Sequence, residues 1–495
     1  MISIAESGRR LLGAVLLALT GVTIASAQVG SVTTSQSTVN VGGPNTVNLL
    51  TGAVNIQGAF QGSVPVGTAT NTVVRIGLQD ALQRALTYNF GIVSVAETSR
   101  ATAAQRLAAL SKLLPTIDGS FEETAQQTSL TALGFRSSLF GGLSIPTVLG
   151  PYNYFDLRAS VTQTVVDLSK LHNMHAATEA VHAAEFDARD ARDLVTLAAT
   201  GIYLQVLAAD ARVHTAEAAV RSSDATYQQA ADRLSNGLNA RIDVTRSEVQ
   251  LQTDQQRLRG LRADFEKQKL TLARVIGLPA GQEFSLSDDF TFSPLTGLTQ
   301  DDALARAKAD RADIAAARAA VRAGEEVVKA ARSEYLPTVS ASANYGVIGM
   351  NPSQSHGTFG VTAGVNIPIW QGQRVKADID SAESMLSQRR SAQAELEGRV
   401  DFEIRQTFID LAAAADQVGL AEKNVELSKD TLRQAQDRFG AGIADTIEVV
   451  QAQQTVEQAE NDLISAIYQH NLAKVTLARG LGEAEKTVPQ YLKGK

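Results

Sequence analysis

The sequence predicts an α+β chain made by internal duplication, each half carrying a pair of alternating strands and a helical hairpin too long for a globular core. Three observations lead there. Blocks of sequence recur in the same order, the apolar period switches from three-and-four to two at matching places in both copies, and two stretches of over sixty residues contain no proline.

Before the duplication, Arg9 and Arg10 precede the apolar run Leu11 to Ile24, and Ala25-Ser26-Ala27 fits the small-x-small rule of signal-peptide cleavage. Residues 1–27 are therefore expected to direct export. Residues 28–74 are rich in Gly, Ser, Thr, Asn, Val and Gln and almost uncharged, so a flexible or loosely extended leader is expected.

Repeat one is placed at 75–285 and repeat two at 298–482, with a linker at 286–297 and a tail at 483–495. The opening block around Leu82 matches that around Leu304, and the Leu-Pro at Pro115 matches that at Pro337, both at an offset of 222. Phe155 onward matches Phe359 onward at 204, and Tyr203–Gly277 matches Phe408–Gly482 at 205. The last pair ends in TLARVIG over TLARGLG, five of seven residues identical. A shrinking offset puts the length differences in loops between the blocks.

Each repeat begins with three-and-four apolar spacing, Ile76 to Leu114 and Leu298 to Leu336, which predicts one amphipathic helix ending at Leu-Pro. Period two follows. In repeat two, Val339, Ala341 and Tyr345 alternate with polar residues, as do Phe359, Val361, Val365, Ile367 and Ile369. In repeat one, strands are read at Thr116–Phe121 and from Phe155 to Thr162, joined by a longer loop over roughly Thr124 to Tyr154. Leu168 to Leu234 and Val375 to Phe439 then predict helices on the order of 100 Å long at about 1.5 Å per residue. Turns at Asn236-Gly237 and Gly440-Ala441-Gly442 send the chain back along a returning helix.

Composition narrows the function. The 495 residues hold 45 basic and 52 acidic side chains, a net charge of −7, which offers nucleic acid no bulk attraction. Cysteine is absent, removing thiol catalysis, cysteine metal sites, disulfides and lipoprotein acylation. Beyond the N-terminus no run of 18 apolar residues argues for a helical membrane transporter. H-E-x-x-H, G-x-S-x-G, the P-loop and a post-strand G-x-G-x-x-G are all missing, so no enzyme and no cofactor are expected.

Alternating strands in an exported chain suit a wall with lipid on one side and water on the other, which four strands cannot close alone. Two chains would give eight strands and a filled interior; three would give twelve and an open lumen. Periodicity equally fits a soluble sheet packed on helices.

The ordered series resembles the outer membrane factor (TolC-like) family of efflux and secretion channels from about Arg75 to Gly482. LQDALQRALTYN near Asp80 is similar to that family's opening helix, PIWQGQRVKADI at Pro368 to its strand-to-helix junction, and RLSNGLNARIDVTRSEVQL with RFGAGIADTIEVVQAQQTV to its two hairpin tips. The resemblance implies a homotrimer whose twelve-stranded β-barrel crosses outer membrane lipid and continues as a periplasmic α-helical tunnel. It also implies a periplasmic adaptor (membrane fusion) protein and an inner membrane pump of RND, ABC or MFS type as partners. The competing class is a periplasmic coiled-coil structural or adaptor protein without a barrel.

Asp243 and Glu448 each follow a tip glycine by six residues. Complementing the helix dipole explains that spacing by itself; the resemblance implies carboxylates that gate the periplasmic aperture. Gln451 occupies a second carboxylate position and Ala444 stands where some members carry a base, leaving Arg241 and Arg233 as candidate partners. Asn236, Gly237, Leu238, Asn239, Ala441, Gly442, Ile443 and Ala444 form the expected adaptor-docking tips. Val339, Ala341, Tyr345, Phe359, Val361, Val365, Ile367 and Ile369 form the expected lipid face. Trp370, Tyr335, Tyr152 and Tyr154 at strand ends suit a bilayer interface. His172, His175 and His182 lie at helical spacing without an evident carboxylate partner and read as surface histidines rather than a metal site.

Overall fold

The computed structural model describes residues 32–38, 50–56, 58–134, 146–238, 240–295 and 297–492, so the expected signal peptide and Asn239 lie outside the described residues. Among the described residues the first element is β1 (Val32–Thr38), paired antiparallel to β2 (Leu50–Ile56), followed by β3 (Val74–Ile76), α1 (Leu78–Tyr88) and α2 (Phe90–Ser111). β4 (Thr116–Ser129) and β5 (Val148–Val166) lead into α3 (Leu168–Ser235) and the returning α4 (Arg241–Val275). After β6 (Phe284–Leu286) the order recurs: α5 (Gln300–Asp310), α6 (Ala312–Ser333), β7 (Thr338–Gly349), β8 (Ser355–Asn366), α7 (Arg374–Gly440) and α8 (Thr446–Gly480). A final helix, α9 (Ala484–Leu492), occupies the expected tail and packs on α3 and α8.

Neither opening helix is continuous. Asn89 separates α1 from α2 and Arg311 separates α5 from α6, each as one extended residue with ψ of 129° and 125°. Because the break needs no proline and the apolar spacing continues across it, the sequence reads as one helix. The strands of repeat one also extend well beyond Phe121 and begin before Phe155, taking in both ends of the expected loop. β8, in contrast, stops at Asn366, so Ile367 and Ile369 lie past the strand in the connection to α7. There Gly372 and Gln373 both adopt the left-handed conformation, with φ of 60° and 71°. For Gln373 this conformation is costly and turns the chain sharply into α7.

The leader is not uniformly loose. β3 pairs in parallel with β6, tying the end of the leader to the end of repeat one. Upstream, Ser63 N–H donates to the Arg274 carbonyl and Val64 N–H to that of Tyr88, both at 2.9 Å. Phe60 is wholly buried against Gly91, where an added Cβ would lie 2.1 Å from its ring. Gly91→Ala is therefore expected to expel Phe60 and cost about 1–3 kcal/mol by overpacking. Hydrogen exchange should show faster exchange at residues 58–66 in the variant, with a lower Tm; unchanged protection would mean that Phe60 does not hold the leader.

The core runs through the middle of the helices. Val195, Ala198, Ile202 and Val206 of α3 pack with Leu272 and Val275 of α4, Leu472 and Val475 of α8, and Ile76 and Phe284. Alanines along these helices allow close approach. One helix, Leu168–Ser235, has a stretch apolar enough to cross a membrane, but 78% of that window is buried inside the protein, as befits a core helix.

An ion cluster joins the repeats beside this core. Arg311, 3% exposed, donates to both carboxylate oxygens of Asp313 at 3.0 and 2.7 Å and to Glu403 at 3.0 Å. Arg479 of α8 reaches Glu403 at 3.4 Å and Asp190 of α3 at 3.5 Å. Burial alone would raise the Asp313 carboxyl, yet the Arg311 fork brings it below the usual range; Asp190, held less closely, is pushed up by burial.

Candidate functional site

The four strands β4, β5, β7 and β8 form one antiparallel sheet in that order, so β5 of repeat one pairs with β7 of repeat two. Register determines which side chains share a face. Val339 stands opposite Val365, Ala341 opposite Ala363, Ala343 opposite Val361, and Tyr345 opposite Phe359. Across the next ladders Val161 meets Ala343 and Ile117, while Leu157 meets Phe121. One face is thus apolar from edge to edge, and among the described residues nothing covers it: Phe359 is 81% exposed and Val361 75%. This overturns the soluble-sheet alternative, in which these side chains would pack on helices.

The other face is polar. Arg158 donates to Asp156 at 2.9 Å and to Asn344 at 2.5 Å, and Ser160, Thr162, Ser340, Ser342 and Thr362 share its register positions. Tyr152 and Tyr154, stacked at 6.5 Å, fall on this polar face rather than in a lipid-facing belt, since they have the parity of Asp156 and Arg158. Trp370 and Tyr335 are exposed together at the helix-side end of the sheet. Among the described residues β4 and β8 are left as open edges, each 12 residues or longer.

At the opposite end, both hairpin turns are built alike. The Leu238 and Ile443 N–H groups donate to the carbonyls of Arg233 and Arg438, and Gly237 and Gly442 to those of Leu234 and Phe439. This double bond pattern needs a left-handed residue, supplied by Gly237 at φ 74° and Gly442 at φ 78°. Such a turn ordinarily packs its last residue on the helix residue five back. Here those positions are Arg233 and Arg438, so Leu238 (67%) and Ile443 (73%) point into solvent.

The two arginines act differently. Arg233 donates to the Phe439 and Gly440 carbonyls and covers the Phe439 ring at 5.0 Å, joining the two hairpins. Arg438 pairs with Glu448 at 3.2 Å. Asp243, in the first turn of α4, lies 3.7 Å from Arg246. Within the chain, therefore, neither carboxylate uses Arg233 or Arg241; the sequence reading missed Arg438, although its offset of 205 from Arg233 signals it. It also missed Asp445, whose carboxylate accepts from the Ile447 and Glu448 N–H groups and caps α8. Ile242, Val249, Ile447 and Val450 line an apolar groove of about 450 Å³ between the starts of α4 and α8.

A two-faced sheet with open edges, continued by paired helical hairpins, defines the protomer class of outer membrane channels. The chain belongs to the outer membrane efflux protein family, whose sequence model matches residues 81–278 and 303–483. It is similar to outer membrane efflux protein BepC of Brucella suis, 26% identical over 310 residues, or 60% of this chain and 66% of that one. Pyoverdine export outer membrane protein OpmQ of Pseudomonas putida is 24% identical over 57% of this chain and 60% of its own length. The matches thus span about two-thirds or less of these relatives. Among solved structures, the Campylobacter jejuni CmeC outer membrane channel superposes with a TM-score of 0.73 at 16% identity, covering 93% of this chain and 98% of that one. The open state of Neisseria gonorrhoeae MtrE gives 0.69 at 17% identity over 86% and 96%.

Proposed function

We propose that the chain forms a homotrimeric duct through the outer membrane, a passive exit channel of a tripartite efflux pump or type I secretion system. The carrying observation is the uncovered apolar face of an open-edged sheet joined to long helices. An unpaired strand edge in hydrocarbon costs several kcal/mol per backbone group, so the sheet must close with other copies. The β5–β7 pairing joins the second strand of one repeat to the first strand of the next, and β8 can meet β4 of a neighbouring chain in the same way. Three chains then give twelve strands and an open lumen lined by the polar face. A periplasmic adaptor would seat on Leu238, Ile443 and the groove behind them, with an inner membrane pump supplying the energy.

Planar-bilayer recording with native mass measurement tests this reading: pore activity from a trimer is expected, and a monodisperse detergent-free monomer would remove it. Gating by the tips is tested on the same pore. Three chains place six acids, Asp243 and Glu448, around one aperture. Asp243→Asn with Glu448→Gln is expected to raise single-channel conductance, because the Arg438–Glu448 and Arg246–Asp243 contacts at the tips are lost, and to lower cation preference, because a ring of negative charge is removed. If the two acids only complement helix dipoles, conductance stays unchanged while the Tm falls slightly.

A further inference from the structure

We propose that His172, His175 and Glu326 form a binding site for a divalent transition cation of the Zn²⁺ type. The two histidines lie three residues apart in the first turns of α3, on one face just below the end of β5. Glu326 comes from α6 in the other repeat and faces them. Its Oε2 lies 2.7 Å from His172 Nδ1 and 3.7 Å from His175 Nδ1, and all three ligand atoms fall within 4.8 Å of one another. The sequence offers the histidines no such carboxylate, because it lies 154 residues away and arrives only through the packing of α6 on α3.

The spacing fits a metal. Ligand bonds of about 2.0–2.2 Å in a tetrahedron place donor atoms roughly 3.3–3.5 Å apart. Glu326 and His175 are already close to that separation, and His172 needs to open by less than about 1 Å. Two imidazole nitrogens with one carboxylate oxygen select zinc, cobalt, nickel or copper; calcium and magnesium require more oxygen donors. Lys329 holds the other oxygen of Glu326 at 2.6 Å, which fixes the carboxylate and leaves Oε2 for the histidines. A fourth position opens into a surface depression of about 390 Å³ lined by Thr178, Glu179, Arg322 and Glu325, with room for water. Arg322 is bound there to Glu179 at 2.7 Å.

Two of the other four histidines, also on α3, provide the contrast. His182 has only Glu185 of its own helix at 3.5 Å, and His214 only Asp210 and Glu217 of its own helix at 3.7 Å each. Among the described residues, neither has a second imidazole or a carboxylate from another helix beside it. A cation at the three-residue site would clamp the first repeat's long helix to the second repeat next to the sheet.

Isothermal titration of Zn²⁺ into the purified full-length protein in detergent tests the site. One saturable zinc per chain is expected, together with a Tm that rises on zinc addition. Glu326→Gln and His175→Ala should each weaken binding at least 10-fold and abolish the zinc-dependent Tm shift, while His182→Ala binds as the wild type does. The wild-type titration decides by itself if a variant misfolds: no saturable binding at one zinc per chain overturns the proposal. So does an unchanged affinity in Glu326→Gln.

Discussion

Val361→Arg is expected to block insertion into the outer membrane, while Thr362→Arg, one residue along, leaves insertion intact and shifts ion selectivity. Val361 lies midway along β8 opposite Ala343, on the face that runs uncovered across all four strands. An arginine there would sit near the bilayer midplane, at a cost of about 2–4 kcal/mol per chain. In the proposed trimer three chains close one barrel, so the cost falls three times on a single insertion event. Thr362 stands opposite Ser342 on the polar face, where Arg158 already resides, and another guanidinium there stays in water. Outer membrane fractionation with heat-modifiability gels reads insertion, and reversal potentials read selectivity. Equal tolerance of arginine at both positions would remove the membrane-facing assignment.

Arg311→Met is expected to cost about 1.5–3 kcal/mol of stability, since it removes the charged hydrogen bonds that a buried guanidinium makes to two part-buried carboxylates. Arg311 is 3% exposed and serves Asp313 and Glu403 together, while Arg479 reaches Glu403 at 3.4 Å and Arg399 reaches it at 4.0 Å. The loss depends on pH. Asp313 has a folded carboxyl held below its unfolded value near 3.9, so its stabilisation is fully present above that value and disappears as pH falls through the folded one. The difference between wild type and variant should therefore be largest near neutrality and shrink below about pH 4. Urea midpoints across this range check it. A variant within about 0.5 kcal/mol of wild type at pH 7 would show that the cluster reorganises around Arg479.

Repetition and period made much of this architecture legible. The switch from three-and-four spacing to alternation at Pro115 and Pro337 marks where helix gives way to strand, and proline-free runs with a following glycine mark the long hairpins. Alternation in Phe359–Val365 likewise fixes which residues share a face, because a strand has period two whatever surrounds it. Breaks at Asn89 and Arg311 were not legible. Each is a single extended residue with one local and one distant partner: Asn89 accepts from the Gly91 N–H and donates to the Phe60 carbonyl, while Arg311 holds Asp313 and the distant Glu403. Phe60 illustrates the same limit, since a polar leader gives no local sign that one aromatic will be buried against Gly91.

Pairing across the repeats divides what the chain sequence settles from what the fold adds. By itself the sequence determined the duplication, from matching blocks in its two halves, and also the strand pair, long helix, turn glycine and returning helix of each repeat and the two faces of the strands, which are properties of neighbours within a few residues. Only the tertiary structure decided that the apolar face stays uncovered, that Arg438 rather than Arg233 meets Glu448, and that Glu326 faces His172 and His175. Those contacts join residues on separate helices or strands, and no local periodicity encodes a partner that packing brings from a distant part of the chain.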